Sequence, residues 1–319
     1  MRMTFRSLLI LAVSAAAAGT AIRRASAEPE SRRPGVGLDV RVGARWVTWW
    51  REAAAPARWD GRAPLAQRVA WRAGAHGVEW GELQLRGASE AWRTRVIVVR
   101  LDPRHAALSL DPAFTENRRW TADDAAADAV AAFTAGQFRE TLPWGWVRTG
   151  GREILAPQYA PLAGAVVVDS SGAVRVIAPD RVADEHRHGT AVEAFQSYPM
   201  LLQDGAAPAP LTQAGLGVNI GHRDARLALC TLSDGRVVVA LTRFDAFGES
   251  LGRIPFGLTA AEMAAVMGGL GCRQAILLDG GISGQLRLDQ ADGSARTWAG
   301  TRSVPLGLVV RERASSSPW

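Results

Sequence analysis

Ala275-Ile276-Leu277-Leu278-Asp279-Gly280-Gly281-Ile282-Ser283-Gly284 is the stretch on which the reading of this chain turns. Four aliphatic residues stop at a carboxylate, and three glycines follow within five positions. A short apolar run bounded by glycine is the pattern of a buried strand. Glycine adopts positive φ at little cost and has no Cβ, so a ligand can come close to the main chain there. The pattern predicts Asp279 at the point where a strand leaves the core, beside backbone N–H groups. In sheets flanked by helices, such strand ends are where ligands bind. The competing reading is a plain turn, because Asp-Gly is a common turn dipeptide.

Immediately upstream, Thr259-Ala260-Ala261-Glu262 forms a capping box, with a hydroxyl to accept N–H bonds and a glutamate three residues on. Met263, Val266, Met267 and Leu270 then recur at helical spacing, and Gly269 and Gly271 stop the helix. The predicted unit is a capped helix, a glycine turn, a buried strand and Asp-Gly-Gly.

Further strands are predicted at 95–101, with 107–110 as its hairpin partner, and at 165–169, 174–177 and 304–310. Asp234-Gly235, between 228–232 and 237–241, is a hairpin signal. Thr121 followed by Asp123 and Asp124 reads as the start of a helix whose alanine-rich body runs through Val130 to Phe133. Residues 180–192 are polar and read as a solvated loop. His186 and His188 in that loop have the spacing of a zinc pair on a strand, but the surroundings assign no metal. Seven of the twelve tryptophans lie between Trp46 and Trp92, among short alternating segments such as 78–85. Indole faces stack on sugars, but in half-buried strands they more commonly fill a core. Strands outnumber helices and hairpins dominate. The expected class is α+β, a mixed and largely antiparallel sheet core flanked by helices.

The first 27 residues have the form of an export signal: basic Met1 to Arg6, a small apolar stretch, then Ala25-Ser26-Ala27 before Glu28. The apolar stretch is short for a membrane span, so no stable span is expected once the signal is removed. The predicted organisation is a leader at 1–27, a tryptophan-rich segment at 28–94 packing on a main domain at 95–312, and a polar tail at 313–319. An exported, periplasmic or secreted protein follows. The formal charge of +6 includes four arginines within the leader and no acid there, which leaves +2 for the mature chain. A near-balanced surface gives no reason to invoke nucleic acid. All 37 cationic residues are arginine, so any anion is gripped by a planar fork suited to phosphate or carboxylate. Export permits a disulfide between Cys230 and Cys272, with two buried free thiols as the alternative.

The order of these segments resembles the phosphodiester glycosidase family over residues 95–310. The capped helix leading into Leu278-Asp279-Gly280-Gly281 is similar to that family's L-D-G-G-G-S. Gln196-Ser197-Tyr198-Pro199-Met200-Leu201, ending at Asp204-Gly205, is similar to its Q-S-G-P-x-L…D-G. Arg302-Ser303-Val304-Pro305 is similar to its late R-x-V segment. Two motifs match in part. R-T-A-x-G falls on Arg226-Leu227-Ala228-Leu229-Cys230, and N-G-G-F-F on Thr134-Ala135-Gly136-Gln137-Phe138, so the family's asparagine is Thr134 here.

The resemblance implies hydrolysis of a sugar–phosphate diester at the anomeric carbon, through an oxocarbenium-like transition state with phosphate leaving. It implies Asp279 as the catalytic carboxylate, with Arg226 and Arg302 on the phosphate. The Gly280–Ser283 backbone would donate to the same anion, which adds Gly281 to the set. Thr134 and Gly136 would shape the sugar side, and Gln196 would line the substrate. The implied partner is a glycan or sugar phosphate, with no cofactor and no metal. A second reading, a binding module for anionic glycans, is favoured by the Thr134 and Leu227–Cys230 departures. A serine hydrolase does not fit, because Ser283 lacks the G-x-S-x-G elbow and no histidine follows it.

Overall fold

The structure is a computed structural model that describes residues 36–88, 90, 92–245 and 252–313. The leader at 1–27 and residues 314–319 of the tail lie outside the described residues. Among the described residues, no helix is long and apolar enough to cross a membrane.

The central element is the strand Arg93–Leu101, whose run RVIVVRL is apolar without alternation because both of its faces are covered. Ile97, Val99 and Leu101 point into one core, and Val96 and Val98 into another. This strand sits inside a nine-stranded sheet. On one side it pairs with Val78–Gly87, which leads on to Gly37–Val42 and Arg45–Arg51. On the other it pairs with Val237–Phe244, then Leu227–Thr231, Gln274–Leu277 and Met200–Leu202. The tryptophan-rich segment therefore supplies strands to the same sheet as residues 93–101. Trp80 is fully buried within it.

Two five-stranded sheets cover the first core. One is built on Gly164–Asp169 and Ala191–Ser197, the other on Ala129–Thr134 and Gly307–Glu312. Val166, Phe195, Phe133, Leu308 and Val310 from these sheets meet Ile97 and Val99. The second core lies on the opposite face of the large sheet. It is closed by the helix Ala260–Gly269, whose Met263, Val266 and Met267 are fully buried. Thr259 caps this helix as expected: its hydroxyl accepts the Glu262 N–H at 3.2 Å, and the Glu262 carboxylate accepts the Thr259 N–H at 2.9 Å.

Several expectations are corrected. Every strand pairing among the described residues is antiparallel, so the sheets are not mixed. Only two α-helices occur there, Val182–His188 and Ala260–Gly269, so the fold is more β-rich than a helix-flanked sheet. Thr121 and Asp124 do form a capping box, but it closes a single 3-10 turn, Ala122–Asp124. The alanine-rich residues after it form the strand Ala129–Thr134, buried at every position between Leu286–Asp289 and Gly307–Glu312. Alanine's helical preference is worth a few tenths of a kcal/mol per residue, and a slot between two strands overrides it. Ala106–Asp111 pairs with Gly307–Glu312 rather than with its sequence neighbour, because the turn after Asp102 carries the chain from one sheet to another. The last strand begins at Gly307, not 304. Residues 182–188 of the polar segment are helical, and His186 lies 2.5 Å from Glu153.

The hairpin across Asp234-Gly235 forms, with Gly235 at φ +84°. Cys230 and Cys272 form a disulfide, with both residues fully buried. It joins a central strand to the chain just after the helix and closes a loop of 42 residues. Loop-closure entropy for that length gives about 4 kcal/mol. Replacing both cysteines with alanine is expected to lower unfolding stability by about 2–4 kcal/mol in urea titrations. No change would show that the bridge does not constrain the unfolded chain.

Candidate active site

Asp279 lies two residues beyond the strand Gln274–Leu277, where the apolar run ends. Its N–H donates to Ala135 O at 2.9 Å, the Leu278 N–H to Leu227 O at 2.8 Å, and the Gly281 N–H to Ala225 O at 2.7 Å. The chain then coils on itself, with the Ser283 and Gly284 N–H groups both donating to Gly280 O at 3.0 Å. Glycine is required here. A Cβ on Gly280 would stand 2.6 Å from Ala225 O, and Gly281 sits at φ +56° with its would-be Cβ 3.1 Å from the Asp224 carboxylate.

The Asp279 carboxylate is the electrostatic anomaly of the site. One oxygen, Oδ2, is buried with no hydrogen-bond partner. Burial pushes its pKa from 3.8 up to about 6. The Ser283 side chain and the Arg302 charge pull it down, and Asp224 pushes it up. Arg302 reaches the site because its N–H donates to Ile282 O at 3.1 Å, and its guanidinium lies 4.6 Å over the Phe138 ring. That side chain is exposed at the rim. Asp224 has no motif of its own in the sequence. The Gly281 backbone passes beside it, its Oδ1 accepts the Ala225 N–H at 2.8 Å, and its Oδ2 lies 3.7 Å from His222 Nε2.

The remaining expected residues stand one layer back. The Arg226 guanidinium donates to Leu258 O at 2.9 Å and His222 O at 2.7 Å. Burial lowers its pKa, with Asp224 and Glu262 opposing the shift. It braces the loop that carries Asp224, and it is not among the charges acting on Asp279. Thr134 is fully buried and its hydroxyl donates to Ser283 O at 2.9 Å, tying the Ala129–Thr134 strand to the turn. A Cβ on Gly136 would meet Gln196 O at 2.2 Å, so only glycine allows that approach. The Gln196 side chain is spent on Trp146 N–H, Gln158 N–H and Gln158 O, at 2.8–2.9 Å. The Gly281 and Ser283 N–H groups, expected as anion donors, are taken up by Ala225 O and Gly280 O.

Gln137 had no assigned role, yet it ties the segment after Thr134 to the chain at Ser197 and Tyr198. Its Oε1 accepts the Tyr198 N–H at 2.9 Å and lies 2.8 Å from the Ser197 hydroxyl, while its Nε2 donates to Tyr198 O at 2.6 Å. It lies inside the quoted Thr134–Phe138 stretch, the only sequence signal it offers. Among the described residues no group of three or more His, Cys, Asp or Glu side chains could hold a metal.

A family model for phosphodiester glycosidases matches residues 125–311, which includes every residue placed in this site. This chain belongs to the phosphodiester glycosidase family. The fold agrees with solved structures at low identity. The catalytic domain of zebrafish N-acetylglucosamine-1-phosphodiester alpha-N-acetylglucosaminidase, described as auto-inhibited by its pro-peptide, aligns with TM-score 0.55 and 16% identity. That alignment covers 81% of this chain and 94% of that one. A hypothetical protein from Synechocystis aligns with TM-score 0.53 and 16% identity, over 88% of this chain and 68% of that one. No curated protein matches by sequence. Both Asp279 and Thr134 lie within the matched residues, and the Thr134 hydroxyl points into the turn that follows Asp279.

The raised Asp279 pKa has a measurable cost. Between about pH 4 and pH 6 the folded chain holds this proton more tightly than the unfolded chain, so stability falls as pH rises through that window. At neutral pH the ionised, desolvated carboxylate costs on the order of 3 kcal/mol. Asp279→Asn is therefore expected to unfold at higher urea than the parent at pH 7, with the gap closing at pH 4. Equal midpoints at pH 7 would contradict this.

Proposed function

We propose that this chain is an exported hydrolase that cleaves a glycosyl phosphodiester in an envelope or extracellular glycan, with N-acetylglucosaminyl as the sugar. The observation that carries this reading is the Asp279 carboxylate, which has one oxygen unsatisfied and an arginine acting on it. Family membership supplies the reaction class. The relative whose fold it shares is named for action on N-acetylglucosamine-1-phosphodiesters. The signal-like residues 1–27 support export.

In this reading the bond between C1 and the phosphate oxygen breaks, and positive charge develops on the sugar ring. Ionised Asp279 opposes that charge from a partly desolvated position, where electrostatics is stronger than in water. Phosphate leaves as a stable anion and needs little protonation, and Arg302 holds it as it departs. Water adds to C1 and the free sugar is released. Burial, with a smaller push from Asp224, keeps the Asp279 proton affinity high enough for it to accept a proton from that water. Arg226 and Thr134 position the two loops, and neither touches the phosphate.

Two measurements test this. With the methyl diester of N-acetylglucosamine 1-phosphate, Asp279→Asn is expected to lower kcat roughly a thousand-fold while the protein stays folded. Arg302→Ala is expected to lower kcat/KM roughly a hundred-fold. The pH profile of kcat/KM should climb about tenfold per unit below pH 6 and level off above it, since the ionised form of Asp279 is the working one. Sugar release unaffected by Asp279→Asn, or no release from any sugar-1-phosphodiester by the parent, would overturn the assignment.

A further inference from the structure

A second concentration of charge lies behind the Asp279 turn. Arg95, Arg243, Arg253 and Arg296 line a cavity of about 710 Å³, together with Asp123 and Trp298. Carboxylates stand beside some of these guanidinium groups. Glu82 lies 3.7 Å from Arg95 and 3.2 Å from Arg296, and Asp123 accepts the Thr297 hydroxyl at 2.8 Å.

Arg243 and Arg253 have no carboxylate partner among the described residues. Arg243 is only 5% exposed. Its donors go to the carbonyl oxygens of Gly284 at 2.6 Å, Trp298 at 3.0 Å, Ala299 at 3.3 Å and Thr242 at 3.3 Å. Carbonyl dipoles satisfy its hydrogen bonds but leave a full positive charge desolvated. Such a charge is expensive to bury unless an anion accompanies it. Burial and the neighbouring Arg253 charge pull its pKa down to about 10. Two like charges converge on one cavity and raise each other's cost.

We propose that this cavity, whose lining does not include Asp279, is an oxyanion site that takes a phosphate group between Arg243, Arg253 and Arg296. Phosphate suits it because guanidinium forks meet it bidentately, and every cation in this chain is an arginine. The site is also wired to the catalytic turn. The Arg243 group that lines the cavity holds Gly284 O, while the 298–302 segment it also holds carries Arg302. An anion that fixes Arg243 therefore fixes the back of the turn on which Asp279 and Ser283 stand. Its source is either a free phosphate or a neighbouring diester of the same polymer, and the two differ in charge.

The test is calorimetric titration of the full mature protein at low ionic strength with inorganic phosphate and, separately, with dimethyl phosphate. At least one should bind saturably, with inorganic phosphate tighter if the ligand is a free dianion and dimethyl phosphate tighter if it is a polymer diester. Asp279→Asn should bind within about twofold of the parent, which separates this site from the catalytic one. Arg253→Glu, an exposed position that leaves folding intact, should weaken binding at least tenfold, or about 1.4 kcal/mol. Arg243→Met should weaken it further where that variant remains folded. No saturable binding of either probe, binding indifferent to Arg253→Glu, or binding lost in Asp279→Asn would each overturn the proposal.

Discussion

The structure depends on how the five residues after Asp279 are held. They set the position of the Asp279 carboxylate, yet they form no strand or helix of their own. Ala225 O fixes Gly281 from below, Gly280 O gathers the Ser283 and Gly284 N–H groups, the Thr134 hydroxyl holds Ser283 O, and Arg243 holds Gly284 O. Three of these anchors come from distant parts of the chain, and the fourth is internal to the turn. Such a turn is rigid because its partners belong to two different sheets, each buried against the common core. Rigid placement is what a desolvated carboxylate needs, since electrostatic stabilisation of a transition state relies on groups that do not reorient during reaction.

The chemistry and the packing are in tension at this point. A carboxylate oxygen without a donor, a glycine-only path past Ala225, and a buried guanidinium with no acid beside it among the described residues are all local liabilities. They are tolerated because the surrounding sheets over-determine the backbone. Several such liabilities gathered around one turn point to a functional site.

Much of this was legible in the sequence wherever the signal was local. The Thr259–Glu262 capping box, the hairpin at Asp234-Gly235 and the aliphatic run ending at Asp279 each depend on neighbours within a few residues, and each forms as read. The misreadings share one cause, long-range pairing. Ala129–Thr134 looks helical by composition and becomes a strand because Leu286–Asp289 and Gly307–Glu312 bracket it. Ala106–Asp111 crosses to a partner two hundred residues away rather than its neighbour. The site divides the same way. Asp279, Ser283 and Arg302 were visible through the motifs that carry them. Asp224 and Gln137 act through backbone that passes near by, and no spacing in a single chain records that. The motif arginine at 226 proves to grip carbonyl oxygens, because the loop at 222–224 folds back over it.

The buried bridge between Cys230 and Cys272 brackets everything that lies between those positions: half of a hairpin, the approach to the helix, and the helix itself. Cys230 also sits opposite Ala275 in the ladder that leads to Asp279, three residues beyond the other end of the bridge. The covalent link therefore clamps the chain leaving the helix to a central strand just before Gln274–Leu277 begins, and pins the alignment of the run that ends at Asp279.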